Sequence, residues 1–253
     1  MDINKVKKLY GLIGYPLSHS FSKRYFAEKF EQENIADSFY ELFPIPKIED
    51  LPALVASHPN LIGLNVTIPY KEQILPFLDE IEEGAAAAGA VNTVLIKEGK
   101  KVGYNSDVYG FTTSVENAIE RHQLKIEKAL ILGTGGAAKA VKFALERSGR
   151  EVKYVSRTKA EDRYSYEDLT QDIFEEYKLI VNTTPLGMAP KVDTFPNIPY
   201  HYISDSHLCF DLVYNPEATL FLQKAQQEGA RILNGLEMLY LQAEKSWEIW
   251  TTN

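Results

Sequence analysis

Lys128-Ala129-Leu130-Ile131-Leu132-Gly133-Thr134-Gly135-Gly136-Ala137-Ala138 is the stretch on which the reading of the fold turns. Lys128 to Gly133 is a short apolar run of the kind that forms a buried strand. A helix follows to Ser148 and stops at Gly149, as a C-terminal glycine dictates. Between strand and helix, Gly133, Gly135 and Ala138 match G-x-G-x-x-G/A. The first glycine permits a tight turn, the second lets backbone approach a pyrophosphate, and the small third residue lets helix and strand pack closely. The helix N-terminus adds N–H groups and the positive end of its dipole. Such a match alone fits an ordinary glycine turn equally well. The strand-turn-helix context favours a dinucleotide site built from Gly133, Thr134, Gly135, Gly136 and Ala137.

Working outward, the next strand bears on which dinucleotide. It runs from Glu151 to Ser156 and ends in Ser156-Arg157-Thr158-Lys159. An NAD site usually carries Asp or Glu there to bond the ribose hydroxyls. Here two cations and two hydroxyls stand where a 2′-phosphate would sit, and Arg forks onto phosphate. The expectation is NADP, with Glu161 close enough to weaken the preference. Further strands are expected at Leu179–Asn182 and Leu208–Val213. Upstream, Val108, Phe111, Val115, Ala118 and Ile119 share one helical face, with Asp107 placed to cap it. In the first third, Tyr10–Gly14, Asp37–Phe43 and Leu61–Val66 read as strands, and Thr93–Ile96 with Lys101–Tyr104 as a hairpin. Lys23–Asn34, Lys71–Glu82 and the tail Leu236–Trp250 have helical apolar spacing. Strand-helix alternation of this kind predicts an α/β protein. We expect two domains: an N-terminal α/β substrate domain, residues 1–107 plus a returning C-terminal helix at 236–253, and a Rossmann-type doubly wound NADP-binding domain at 108–235.

Composition agrees with an ordinary globular chain. Of 253 residues, 45% are hydrophobic and 25% charged, typical values for a soluble protein. The net charge of −8 argues against a nucleic-acid binder, which usually shows a basic face. The apolar run Leu9–Leu17 is interrupted by Gly11, Gly14 and Pro16, so it is not expected to act as a secretory signal. No stretch reaches the roughly 20 apolar residues of a membrane span. Cys209 is the only cysteine, so no internal disulfide is possible, which fits a reducing cytoplasm. The five His are scattered without HExxH or CxxC, and no metal is expected.

A second chemical signal is Asn65-Val66-Thr67-Ile68-Pro69-Tyr70-Lys71, which runs from a strand end into a helix start. Lys71 then falls in a first helical turn, where a cation opposes the dipole. Local misfits of this sort mark functional sites, although a surface lysine is the ordinary alternative.

These segments fall into an ordered series. Gly14-Tyr15-Pro16-Leu17-Ser18-His19-Ser20-Phe21-Ser22 is followed by Asn65 to Lys71, Gly89-Ala90-Val91-Asn92-Thr93 and Gly103-Tyr104-Asn105-Ser106-Asp107. Then come Gly133 to Ala138, Asn182 to Met188, Asp211-Leu212-Val213-Tyr214-Asn215-Pro216, and Gly235 to Leu239 with Gln242. In this order, along essentially the whole length, the chain resembles the shikimate dehydrogenase family. The resemblance implies an NADP-dependent oxidoreductase that interconverts 3-dehydroshikimate and shikimate in the biosynthesis of chorismate and aromatic amino acids. It implies Lys71 and Asp107 as the catalytic pair. Ser20, Ser22, Thr67, Lys71, Asn92, Asp107, Tyr214 and Gln242 would hold the hydroxyls and carboxylate of the substrate. To the glycine loop and Ser156, Arg157, Thr158 and Lys159 it adds Leu212 and Gly235 as cofactor residues. A cytoplasmic monomer or homodimer is expected.

Taken singly, most of these residues fit structural roles: Ser20, Ser22 and Asp107 as caps, Asn92 as a turn residue, and Tyr214 and Gln242 as half-buried polar groups. His19 is given no role beyond bracing its turn. The chain departs from the family at Lys23 (usually Pro), Ser106 (Thr), Ser156 (often Asn) and Glu161 (often basic), and it is short. Three other readings stay open here. They are a quinate/shikimate relative accepting quinate or NAD, a methylenetetrahydrofolate dehydrogenase-like enzyme, and a non-catalytic NADP-binding regulator.

Overall fold

A computed structural model describes residues 7–17 and 20–252; Ser18 and His19 of the serine loop lie outside the described residues. The chain divides into two compact units, one of residues 1–106 and 243–253, the other of residues 107–242.

The first unit is built on β1 (Lys8–Ile13), α1 (Phe21–Gln32), β2 (Ser38–Phe43), α2 (Leu51–Ser57), β3 (Leu61–Val66) and α3 (Tyr70–Gln73). It continues through β4 (Glu80–Ile81), α4 (Glu83–Ala88), β5 (Thr93–Lys97) and β6 (Lys100–Tyr104). The sheet order is β2-β1-β3-β5-β6-β4. β1 runs parallel to β2 and β3, β5 is antiparallel to both β3 and β6, and β4 is parallel to β6. Both faces are covered, so β1 reads as continuously apolar rather than alternating. Leu9 and Ile13 enter one core, with Leu64, Val66 and Tyr70. Tyr10 and Leu12 enter the other, an aromatic core of Phe26, Phe30, Tyr40 and Trp250.

The second unit is carried by α5 (Ser106–His122), β7 (Lys128–Leu132), α6 (Gly136–Arg147), β8 (Glu151–Ser156), β9 (Arg163–Ser165) and α7 (Gln171–Glu176). Then follow β10 (Leu179–Asn182), β11 (Leu208–Asp211), α8 (Leu220–Gln227), β12 (Arg231–Asn234) and α9 (Leu236–Thr252). Its strands pair in parallel throughout, in the order β12-β11-β10-β7-β8-β9. This is the doubly wound dinucleotide-binding order, with its switch point between β7 and β10. Side chains alternate strictly. Ala129, Ile131, Leu179, Val181, Leu208 and Phe210 face the core under α5 and α6; Leu130, Leu132, Ile180 and Cys209 face the core under α7 and α8. α5 begins with the last residue of the first unit, and α9 leaves the second unit after Gln242. No helix among the described residues is long and apolar enough to cross a membrane.

Two local expectations are corrected. The helix read over Lys71–Glu82 is only the four residues of α3, then a 3₁₀ turn at Leu75–Phe77 and the short strand β4. Pro76 within that turn lacks the N–H that a continuing α-helix needs. A single turn has little dipole, so the misfit argued for Lys71 loses its force. Asp107 is not the cap of α5 but lies inside its first turn, because the helix starts at Ser106.

Candidate active site

In each unit the sequence-predicted residues gather at one edge of a sheet. In the second unit that edge is the C-terminal end of the parallel strands, where doubly wound folds bind ligands. Gly133 leaves β7 at φ +112°, in a region that side chains rarely adopt. A Cβ there would also lie 2.8 Å from the Thr183 Oγ1. Its N–H donates to the Val155 carbonyl at 2.9 Å, and Thr183 Oγ1 donates to the Leu132 carbonyl at 2.7 Å. Thus the turn is locked between β8 and the loop after β10. Gly135 is the N-cap of α6 and has no side chain to offer the first-turn N–H groups. Thr134 to Ala137 are exposed while Ala138 is fully buried, so backbone donors face outward above a tightly packed helix start.

After β8, the Ser156 hydroxyl donates to the Thr158 carbonyl at 2.7 Å and accepts from the Thr158 N–H at 3.2 Å. Arg157 and Thr158 thereby sit on a braced, exposed turn. Lys159 is tied to Asp168 Oδ1 at 2.7 Å. The other oxygen of Asp168 accepts from the Ser165 N–H and hydroxyl, both at 2.8 Å. The Lys159 and Ser165 hydrogen bonds hold the Asp168 carboxyl down at about 2. Neither Asp168 nor its grip on Lys159 was anticipated: a carboxylate nine residues away carries no motif.

Leu212 and Gly235 follow β11 and β12 and are brought together. A Cβ on Gly235 would run into the Leu212 carbonyl oxygen. Beneath them Asp211 is fully buried. It accepts from Thr219 Oγ1 at 2.6 Å, the Val213 N–H at 3.0 Å and Asn182 Nδ2 at 3.1 Å. Burial raises its carboxyl despite these donors. Tyr214 is exposed on the loop that Asp211 holds. Gln242 donates to the Leu239 carbonyl at 2.8 Å on α9. α9 crosses α5 at Gly110, where a Cβ would lie 2.7 Å from the Met238 carbonyl and 3.0 Å from the Gln242 nitrogen. Asp107 is three residues before that crossing.

The edge of the first sheet is set by its register. Ile13 pairs with Val66, Asn65 with Thr93, and Thr93 with Tyr104. The loop after β1, the segment after β3, the start of β5 and the end of β6 therefore share one end of the sheet. Ser20 is the N-cap of α1, accepting from the Lys23 N–H at 3.4 Å. The Pro usual in the family at that position has no N–H, so this cap, with the Lys23–Glu41 ion pair, is a restraint particular to Lys23. Thr67 donates its N–H to the Ile13 carbonyl at 3.0 Å. Its methyl would lie 2.5 Å from a Cβ on Gly14. Lys71, half-buried, accepts at its carbonyl from the Val91 N–H at 2.8 Å, beside Asn92. Asn92 is 3% exposed. Its Oδ1 accepts from the Ser106 N–H at 2.7 Å and its Nδ2 donates to Ser106 Oγ at 3.0 Å. Lys71 belongs to the first unit and Asp107 to the second.

Residues 12–94 match the model of the shikimate dehydrogenase substrate binding domain. Over 98% of its length the chain is 36% identical to the NADP(+) shikimate dehydrogenase of Desulforamulus reducens, covering 91% of that protein. The chain belongs to the shikimate dehydrogenase family. Among solved structures it is similar to the Thermus thermophilus shikimate 5-dehydrogenase in complex with NADP(H) and shikimate (TM-score 0.81, 31% identity, 97% of this chain and 94% of that one). It is also similar to the quinate dehydrogenase of Corynebacterium glutamicum in complex with NAD (TM-score 0.86, 26% identity, 98% and 94%). Fold similarity therefore does not separate the two substrates, and the side chains must.

Proposed function

We propose that the protein is an NADP-dependent oxidoreductase that reversibly reduces 3-dehydroshikimate to shikimate. The observation that carries this reading is the grouping of Thr67, Lys71 and Asn92 at one end of the first sheet, just outside strands that are aligned by register. The motifs of the second unit supply the cofactor side. The α6 N-terminus with Gly133 to Ala137 would hold the pyrophosphate, Arg157 and Thr158 the 2′-phosphate, and Leu212 and Gly235 the far side of the nucleotide. The open space around Gly135, into which a Cβ would meet nothing within 4 Å, suits close approach of a phosphate. When bound, NADP supplies or accepts the hydride.

Reduction of a ring carbonyl leaves an oxygen that needs a proton, and the Lys71 ammonium is the donor at that atom. In the reverse direction the Lys71 amine takes the hydroxyl proton. Asp107 is the second member of the proposed catalytic pair, a carboxylate suited to accept from a substrate hydroxyl. Ser20 spends a lone pair on the Lys23 N–H, which leaves its own proton to donate to the substrate carboxylate. Asn92 spends its oxygen on Ser106 and one of its two N–H groups on the same residue. The second N–H is the one to offer to a substrate hydroxyl. Ser22, Thr67, Tyr214 and Gln242 complete the set of polar partners that a polyhydroxy acid requires.

The test is NADPH formation from shikimate plus NADP by the purified protein, with NAD and quinate run alongside. Turnover of shikimate with NADP is the expected result. Preference for quinate or NAD would move the protein to the quinate branch. NADP binding without turnover of either acid would make it a non-catalytic binder.

A further inference from the structure

Beneath the edge of the first sheet lies a chain of hydrogen bonds that the chemistry above does not use. The Tyr40 hydroxyl donates to Asn65 Oδ1 at 2.8 Å. That commitment of its oxygen turns the Asn65 amide nitrogen the other way, to Ser246 Oγ at 2.9 Å and the Asn92 carbonyl at 3.3 Å. Ser246 lies on α9, one helical turn beyond Gln242. Its hydroxyl closes a triangle with Thr93 Oγ1 at 2.8 Å and Ser106 Oγ at 3.1 Å, and the last two are 3.1 Å apart. Ser106 ends the chain by donating its N–H to Asn92 Oδ1 and accepting from Asn92 Nδ2.

Tyr40, Asn65, Thr93, Ser106 and Ser246 are each 5% exposed or less, so water cannot replace a missing partner and every donor must find its acceptor within the chain. The directions are consequently fixed. A reversed Asn92 amide would set its NH₂ against the Ser106 N–H, donor facing donor. A reversed Asn65 amide would set its oxygen against the Asn92 carbonyl, acceptor facing acceptor.

We infer that Tyr40 and Ser246 are positioning residues for substrate recognition, because one buried hydrogen-bond chain, running from Tyr40 through Asn65, Ser246 and Ser106, sets the direction in which Asn92 presents its remaining N–H. This rests on the reading of Asn92 as a ligand of shikimate. Neither Tyr40 nor Ser246 touches the substrate; each acts through its neighbour.

The test is a pair of double-mutant cycles in the full chain, read in shikimate turnover. Tyr40→Phe and Ser246→Ala each remove one hydroxyl. Each should raise the KM for shikimate about five- to tenfold, the worth of one buried hydrogen bond. kcat and the KM for NADP should stay within about twofold of wild type, since no cofactor residue is in the chain. If Tyr40 acts through Asn92, Asn92→Ala with Tyr40→Phe is no worse than Asn92→Ala alone. If Ser246 acts through Asn92, Asn92→Ala with Ser246→Ala matches Asn92→Ala alone. Losses that simply add in both cycles, or an equal rise in the KM for NADP, overturn the inference. Circular dichroism identifies a variant that does not fold, in which case the other cycle decides. Failure of both single variants to fold makes the chain a requirement of the fold and also overturns it. A wild-type protein without shikimate turnover removes the functional reading and this inference together.

Discussion

The working edge of the second sheet is made of backbone, and that of the first is made of side chains. Around β7 the elements that matter are a turn at positive φ, an N-cap without a side chain, and a carbonyl pressed against Gly235. Beneath β7 the side chains are apolar, and the buried polar cluster of Asp211 with Asn182 and Thr219 serves to hold the backbone of the loop after β11. Around β3 the corresponding layer is Tyr40, Asn65, Thr93, Ser106 and Ser246, buried and mutually hydrogen-bonded. The difference follows from what each edge is proposed to hold. A pyrophosphate is recognised by N–H groups and a dipole, which glycine exposes and any apolar core can support. A polyhydroxy acid needs side-chain donors and acceptors pointed in chosen directions, and direction in a dry interior has to be enforced by further polar groups.

The largest effect that can break this division is expected at Lys71. Lys71→Ala should lower kcat by about 10²- to 10⁴-fold, the usual share of a general acid–base. The affinity for NADPH, followed by its fluorescence, should be unchanged. A loss of NADPH binding in step with turnover would show that the two edges are not chemically separate.

Next in size is the cation expected to choose the cofactor. Arg157→Ala should raise the KM for NADP about 10- to 100-fold, the worth of a charge-assisted hydrogen bond to phosphate. Turnover with NAD, which has no 2′-phosphate, should hardly change. Equal losses with both cofactors would assign Arg157 to the adenine or to the fold instead.

A backbone-built edge also predicts sensitivity to a single methyl. In Gly235→Ala the new Cβ meets the Leu212 carbonyl oxygen, which is backbone and cannot rotate away. The expected cost is about 1–3 kcal/mol of stability, as for other overpacked sites. It should be seen in urea unfolding, together with a raised KM for NADP and an unchanged KM for shikimate. A neutral substitution would mean that β11 and β12 yield more easily than the parallel ladder suggests.

This contrast also explains what could be read from the chain alone. The strand Lys128–Leu132 and the glycine loop were legible because backbone function leaves a residue signature: only small residues suit Gly133 and Ala138. Leu61–Val66 and Leu179–Asn182 were legible as buried apolar runs. β4, β9 and β12 have two to four residues, too few to show any period. The helix drawn through Pro76 failed because apolar spacing was allowed to outweigh a missing N–H. Tyr40 and Ser246 were invisible for a different reason. They are 206 positions apart (246 − 40), and nothing local distinguishes a hydroxyl committed to a network from one facing water. The motif residues themselves were marked by the family resemblance, whereas their buried supports were not.

The smallest expected effect concerns the same cofactor turn as Arg157. Lys159 hydrogen-bonds Asp168, so part of the charge that a 2′-phosphate would meet is already answered. Asp168→Asn keeps an oxygen for the Ser165 N–H while removing the negative charge, and should raise the preference for NADP over NAD by a few-fold. It should do so less at high salt, because both groups are near the surface. The same substitution alters acid behaviour. The hydrogen bond from Lys159, then those from Ser165, hold the folded carboxyl at about 2, below its ordinary 3.8. That contribution to stability is therefore present above about pH 4 and fades as the pH falls towards 2. The wild type should lose stability relative to Asp168→Asn across that window and nowhere above it. An NADP preference that stays put while this acid difference appears would place Lys159 outside the phosphate site and leave Arg157 and Thr158 as its cationic and hydroxyl ligands.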